Sequence, residues 1–351
     1  MENRLNRRID GFDLLRGLCA IGVATYHMLY WSNTAKLYNL GLYGVYIFFV
    51  LSGASLYLSY SARLSNGLSL ADFICVRYFR LAPLYILAVI AVPLVQSIPI
   101  DTRFTIYSIL NITLLFGFLN PGQSAVVTGG WSLGIEVVFY FVFPVLVAFV
   151  SKRWIIVLLA LLVALIAQII ALNRILVGDG ALVKNWVTYI QPLSFCFYFV
   201  AGCLIGRLLK EYPTLRLQKW LVWVLFVGGV VFIASTSNQT AEKSLLGING
   251  ITMMILSVVV VYLSGYLSFG LKTSAIAAVF GRMSYGIYLL HTFVHVTISR
   301  FNKDHHIFLG GGIYFHIALV LFLTVTVSLF LEKYYERPIL SAAKKRLLII
   351  N

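Results

Sequence analysis

An all-α, polytopic membrane helical bundle is the fold class this chain predicts, and three observations carry that prediction. The 351 residues are 60% apolar and only 11% charged, with a mean hydropathy of +0.92; a soluble chain carries about 25% charged residues. Apolar stretches near the roughly 20 residues that a bilayer-crossing helix needs recur along the whole chain. The basic residues, 27 Lys and Arg against 12 Asp and Glu, gather in the short segments between those stretches.

The candidate spans are 14–31, 41–60, 82–100, 104–119, 131–150, 154–172, 189–208, 220–236, 249–268, 278–299 and 312–331. The fourth is the shortest. It contains Asn111 and runs into FLNPGQSAVVTGG, a Gly/Pro-rich loop. Charge decides whether it crosses. With the N-terminus inside and the fourth stretch dipping in and returning, 20 of the 27 Lys and Arg lie inside. If it crosses, every later loop inverts and the split becomes 12 inside against 15 outside. The bias predicts about ten transmembrane helices plus a re-entrant segment. Irregular backbone at membrane depth needs protein or a water-filled cavity around it, so the re-entrant piece points to a cavity on the outer side.

The same reading excludes several classes. The net charge of +15 reflects loop bias rather than a nucleic-acid surface. Cys19, Cys75, Cys196 and Cys203 show no paired spacing and no CxxC, so neither a disulfide framework nor a zinc site is expected. No cleavable signal peptide is expected either: the first apolar run is long, lacks a small-residue cleavage site and holds Arg16 and His27. No internal repeat is visible, which weighs against a secondary transporter built from inverted halves.

Ionisable groups inside membrane helices are costly and usually functional. In FDLLRGLCAIGVATYH, Asp13 and Arg16 open the first span and His27 follows eleven residues after Arg16. Eleven residues are close to three turns, roughly 16 Å, so Arg16 and His27 share a face. RYFRLAPLY places Arg77 and Arg80 three residues apart on one helix face, before the third span. Together with Arg16 they suit an anion site, because guanidinium forks match phosphate. WSLGIEVVFY sets Trp131, Ser132 and Glu136 at the outer start of the fifth span, with Glu136 at about the depth of His27. GRMSYGIYLLH supplies Ser284, Tyr288 and His291, and His295 follows one turn later. Two histidines at i and i+4 have no HExxH or acidic cluster beside them, so no metal is expected. His305, His306 and His316 read as solvated or interfacial. Glu332 and Glu336, in EKYYERPILSAAKKR, read either as partners of inner arginines or, more simply, as the snorkelling inner end of the last span. In FFVLSG, Ser52 and Gly53 let a helix approach its neighbour closely. Residue spacing alone leaves open an enzyme, a transporter or flippase for an anionic or lipid-linked substrate, and a non-catalytic membrane partner.

Taken together, the stretches resemble the acyltransferase family 3 of integral membrane acyl-CoA-dependent O-acyltransferases. The marks are Arg16 and His27 with ten residues between them, Asp13 before them, FFVLSG, and the RxxRLxP block of Arg77, Arg80, Leu81 and Pro83. WSLxxE around Glu136, SYxxYLLH ending at His291 and the closing ERP complete the set. The first stretch departs slightly from the usual IDGLRA form, without changing a charged position. The resemblance implies one membrane acyltransferase domain over 1–351: a cytoplasmic N-terminus (1–13), a transmembrane bundle (14–331) and a cytoplasmic tail (332–351). It implies an inner-membrane, multi-pass protein with both termini cytoplasmic, and acyl transfer, expected to be acetyl, from cytoplasmic acetyl-CoA or another acyl-CoA to a hydroxyl of a cell-surface or secreted glycan. Some relatives add an extracytoplasmic esterase-like domain, and none is expected after this short tail.

In that chemistry Arg16, Arg77 and Arg80 would grip the donor's phosphates at the inner face. His27 would act as the general base, Glu136 would orient it, stabilise the imidazolium or serve as a second base, and Asp13 is counted with this catalytic group. Trp131, Ser132, Tyr288 and His291 would contact the glycan or lipid-linked sugar acceptor. The surrounding partners are membrane lipids; no nucleic acid is expected, and homo-oligomerisation stays open.

Overall fold

The computed structural model describes residues 8–150, 154–177, 181–236, 240–305 and 312–348, and no strand occurs among them. Arg4, Arg7, Lys152 and Arg153, which count among the 20 inner Lys and Arg, and His306 lie outside the described residues. The long helices are α1 (Asp10–Trp31), α2 (Tyr38–Ser65), α3 (Leu70–Gln96), α4 (Thr102–Ile112), α5 (Trp131–Val150), α6 (Trp154–Ile175), α7 (Cys196–Glu211), α8 (Lys219–Ser235), α9 (Gly247–Ser264), α10 (Leu271–His305), α11 (Gly312–Leu331) and α12 (Arg337–Leu348).

Among the described residues, six helices are long and apolar enough to cross a membrane: α2, α3, α5, Ile156–Ile175 of α6, α9, and the rod Gly312–Lys345 that joins α11 to α12. The protein is a multi-pass helical membrane protein. The expected spans 14–31 and 278–299 fall on α1 and α10, which are long enough but outside that set. Arg16 and His27 dilute the hydropathy of the first, and Arg282 and His291 that of the second. These two less apolar helices are the ones that carry the His27 and His291 pair. α7 and α8 are shorter, at 16 and 17 residues.

Three departures from the expected spans have local causes. The third helix begins at Leu70, twelve residues before its apolar run, because the Ser69 side chain accepts the Asp72 N–H at 3.0 Å and caps the first turn. Arg77 and Arg80 therefore lie inside α3 rather than before it. The fourth stretch breaks after eleven residues: Leu114 takes a positive φ of 60° and a 3₁₀ turn, Leu115–Phe118, follows. Eleven helical residues do not cross a bilayer. The expected tail is no loose end. α11 continues through a π turn, Glu332–Glu336, into α12, which packs on α3.

Small residues set the closest helix contacts, as in membrane bundles generally. A Cβ on Gly53 of α2 would overlap the Phe199 carbonyl of α7, and one on Gly202 would overlap the Val50 carbonyl. Of the FFVLSG pair, Gly53 performs the expected close approach, whereas Ser52 turns to a polar partner. α1 nests against α10 through Gly17, which faces Phe280, and Gly281, which faces Asp13. The loop after α4 is tied down by Asn111, fully buried. Its Oδ1 accepts from Tyr85 (2.6 Å) and the Val126 N–H (3.2 Å), and its Nδ2 donates to the Ser124 and Tyr107 carbonyls, both at 2.7 Å. Every hydrogen-bonding position of that side chain is used, as burial demands.

Candidate active site

α1, α2, α3, α5, α10 and α12 enclose a cavity of about 780 Å³. α2 provides its long wall. Phe48, Ser52, Ser55, Ser59 and Arg63 all line the cavity, at helical spacing on one face. From Arg63 to Phe48 the wall extends fifteen residues, roughly 22 Å. Exposed Arg63 and Lys344 mark the mouth, while Phe48, Ser132 and Tyr288 close the deep end. Eight cationic side chains line the cavity against four carboxylates, so an anion is favoured there.

Arg16, Arg77 and Arg80, expected together from sequence, do line this one cavity. Two of them are already engaged. Arg16 pairs with Asp13 at 3.3 Å and also donates to the Ser55 hydroxyl. Asp13 is buried and shared with Arg8. Arg77 donates to the Tyr140 hydroxyl (2.6 Å) and lies 3.9 Å from Glu136. Tyr140 in turn donates to Glu136 Oε1 (2.6 Å), which also accepts from Ser52 Oγ (2.7 Å). Glu332 holds Arg337 through both carboxylate oxygens and lies 3.5 Å from Arg282.

The second centre lies past the deep end. His27 Nδ1 and His291 Nε2 are 2.9 Å apart, and Trp31 stacks on His27 at 5.1 Å between ring centroids. Neither histidine lines the cavity; Tyr288, 6.3 Å from His291 by ring centroid, stands between. The tautomers follow from one carbonyl. His291 Nδ1 is 3.1 Å from the Ile287 carbonyl, which can only accept, so Nδ1 carries the proton. With both rings neutral, His291 Nε2 is then an acceptor and His27 Nδ1 must donate to it. That leaves a bare lone pair on His27 Nε2, the arrangement a general base requires.

Two expected roles change. Glu136 does not orient His27. α1 and α2 are antiparallel: Tyr26, beside His27, packs on Gly41, whereas Glu136 meets Ser52, eleven residues or roughly 16 Å further along α2. Asp13 lies fourteen residues from His27 on one helix, roughly 21 Å away, and serves as the anchor of Arg16. Of the four expected acceptor contacts, Ser132 and Tyr288 meet at the deep end, with oxygens 2.9 Å apart, and His291 partners His27. Trp131 does not line the cavity. It packs against Phe195 and Trp186 at 5.4 and 5.8 Å between ring centroids. His316, read as solvated or interfacial, lies 3.3 Å from His295. The reading missed Arg63, Tyr140, Arg337 and Lys344. The serine stripe leading to Arg63, and Tyr140 one turn after Glu136, were the available signals. Arg337 stands in the closing ERP, but its place at the cavity needed the fold of α12 onto α3, and for Lys344 no earlier signal existed.

A family model described as "Acyltransferase domain" matches residues 9–332. The chain therefore belongs to the integral membrane acyltransferase family that its motifs resemble. It is 26% identical to the exopolysaccharide production protein ExoZ of Rhizobium meliloti over 77% of this chain and 81% of that protein. It is 25% identical to the putative peptidoglycan O-acetyltransferase YrhL of Bacillus subtilis, over 95% of this chain and 55% of that protein. It is 23% identical to the O-acetyltransferase OatA of Staphylococcus aureus, over 95% of this chain and 57% of that protein. The chain thus spans just over half the length of these two acetyltransferases. No solved structure matches it.

Proposed function

We propose that this protein is an acyl-CoA-dependent O-acyltransferase of the cytoplasmic membrane, which moves an acetyl group from cytoplasmic acetyl-CoA to a hydroxyl of a cell-surface or secreted glycan. The observation that carries the reading is the path itself: a cavity with a cationic mouth ends at Tyr288 and Ser132, directly before a histidine pair with an open base. The basic loop bias supports about ten spans with both termini and the mouth on the cytoplasmic side. The coenzyme's phosphates would meet the cationic end, and its extended pantetheine arm would carry the thioester toward Tyr288.

His27 Nε2 accepts the proton of the acceptor hydroxyl as its oxygen bonds to the thioester carbonyl carbon. The C–S bond then breaks and the thiolate takes the proton back, which gives an acyl ester and free coenzyme A. The His291 acceptor steadies the imidazolium in between. A histidine is suited to both proton steps near neutral pH.

Labelled acetyl-CoA tests the reading on purified protein in detergent or nanodiscs. Free thiol is expected to appear only when a glycan acceptor is present, and surface glycans from cells with the protein should gain the mass of one acyl group. Transport of a sugar with no thiol release, and no acyl mass difference, would sink the proposal in favour of a transporter.

A further inference from the structure

The cavity's cations fall into two sets. Arg8, Arg16 and Arg77 are held by Asp13, Glu136 or Tyr140, and Arg282 and Arg337 converge on Glu332. The side chains of Arg63, Arg80 and Lys344 make no hydrogen bond or ion pair among the described residues, though all three line the cavity and Arg63 lies 5.9 Å over the Tyr60 ring. They come from three separate elements: the last turn of α2, the middle of α3, and α12. Lys344 lies in the combined field of Arg80, Arg77 and Arg63. Among the described residues, Glu336 is the one lining carboxylate with no ion-pair partner, and it lies in the field of Arg80. Counting it against Arg80 still leaves two uncompensated positive charges at the mouth. Like charges crowded on converging helices repel unless an anion joins them.

We propose that Arg63 and Lys344, together with Arg80, form the landing site for a polyphosphate anion at the cavity mouth, with α12 as one of its walls. Resting on the acyl-CoA reading, this assigns the donor's nucleotide end to these three side chains. Arg16 and Arg77 instead keep the cavity shaped through their fixed partners. The division follows from availability: a guanidinium already paired to a buried carboxylate has fewer donors left for phosphate than a free one. Arg63 and Lys344 also stand at the mouth, Arg63 roughly 22 Å of helix wall from Phe48. Phosphates held there leave the thioester end of an extended donor pointing to Tyr288.

The test is a binding titration of coenzyme A, dephospho-coenzyme A and pantetheine to the full chain in phosphatidylcholine nanodiscs. It compares the wild type with Arg63→Gln, Lys344→Gln and the double variant. Each single change is expected to weaken coenzyme A binding about tenfold and to flatten its salt dependence, with pantetheine binding unchanged. The substituted side chains are exposed, so folding is expected to persist, as a matched thermal unfolding profile checks. Wild-type coenzyme A affinity in the double variant overturns the landing site while leaving the acyl-CoA reading intact. No coenzyme A binding by the wild type overturns that reading. A second arm adds phosphatidylglycerol to the nanodiscs. If Arg63 and Lys344 govern retention of that lipid but not coenzyme A affinity, the site is a lipid headgroup site and the proposal fails.

Discussion

His27 owes its open nitrogen to a carbonyl on another helix. Ile287 can accept only, so it fixes the proton on His291 Nδ1, and His291 Nε2 in turn fixes the proton on His27 Nδ1. Removing the middle ring breaks this sequence and leaves His27 free to present a protonated Nε2. His291→Ala is expected to lower turnover about 10²–10³-fold, within the range of general-base effects, while the KM for acyl-CoA holds. His291→Gln, whose amide oxygen can accept from His27, should recover part of the loss. Steady-state kinetics decide it: a KM rise with turnover intact would make His291 a substrate contact and not a positioning residue. At the same scale, Glu136, read from sequence at the depth of His27, and Asp13, read at the start of the span, both anchor arginines. Asp13 pairs with Arg16 and Glu136 lies 3.9 Å from Arg77, each well removed from His27.

At the scale of the element, α2 does two jobs on two faces. One face is the polar wall of Ser52, Ser55, Ser59 and Arg63. The other is the seam with α7, where Gly53 and Gly202 let the backbones touch. The seam positions the wall, so a side chain forced into it moves both. Gly202→Val is expected to destabilise the protein by about 1–3 kcal/mol, the usual penalty of overpacking, or to abolish folding. Gly228→Ala on α8, where nothing lies within 4 Å of the added carbon, should leave stability near the wild-type value. Thermal unfolding in detergent measures both, and equal melting points would contradict the close approach. The short α4 illustrates the opposite device: a broken helix held by one buried amide, Asn111, instead of by length.

For the whole molecule, the asymmetry of charge is the main feature. Arg63 and Lys344 stand at the mouth of the cavity, and the histidine–tryptophan cluster lies past its deep end. By the positive-inside rule the basic end is expected on the cytoplasmic side. In a variant lacking the four native cysteines, Asn66→Cys, in the turn after α2, is expected to react with a membrane-impermeant maleimide only in inside-out vesicles. Thr34→Cys, in the turn before α2, should react only in right-side-out ones. Reaction of both from one side would rule out the traverse of α2 and the orientation built on it. If the traverse holds, donor and acceptor approach from opposite faces, and Tyr288 with Ser132 forms the partition between them.

Composition and hydropathy by themselves determined that this is a helical membrane protein. They placed the ends of α5 and α11 at the observed residues, because apolar length is a local property that a bilayer reads directly. Helical periodicity was also local enough to bring Arg77 and Arg80 to one face. Local signals failed at the start of α3, where a serine cap outranked hydropathy, and at α4, where backbone conformation at Leu114 ended the helix. Only the tertiary structure decided which polar groups meet. Depth estimated from sequence paired His27 with Glu136. The antiparallel course of α1 and α2 and the packing of α10 on α1 paired it with His291 instead. Pairing is a property of three-dimensional distance between chains of residues hundreds of positions apart, and no spacing within one helix encodes it.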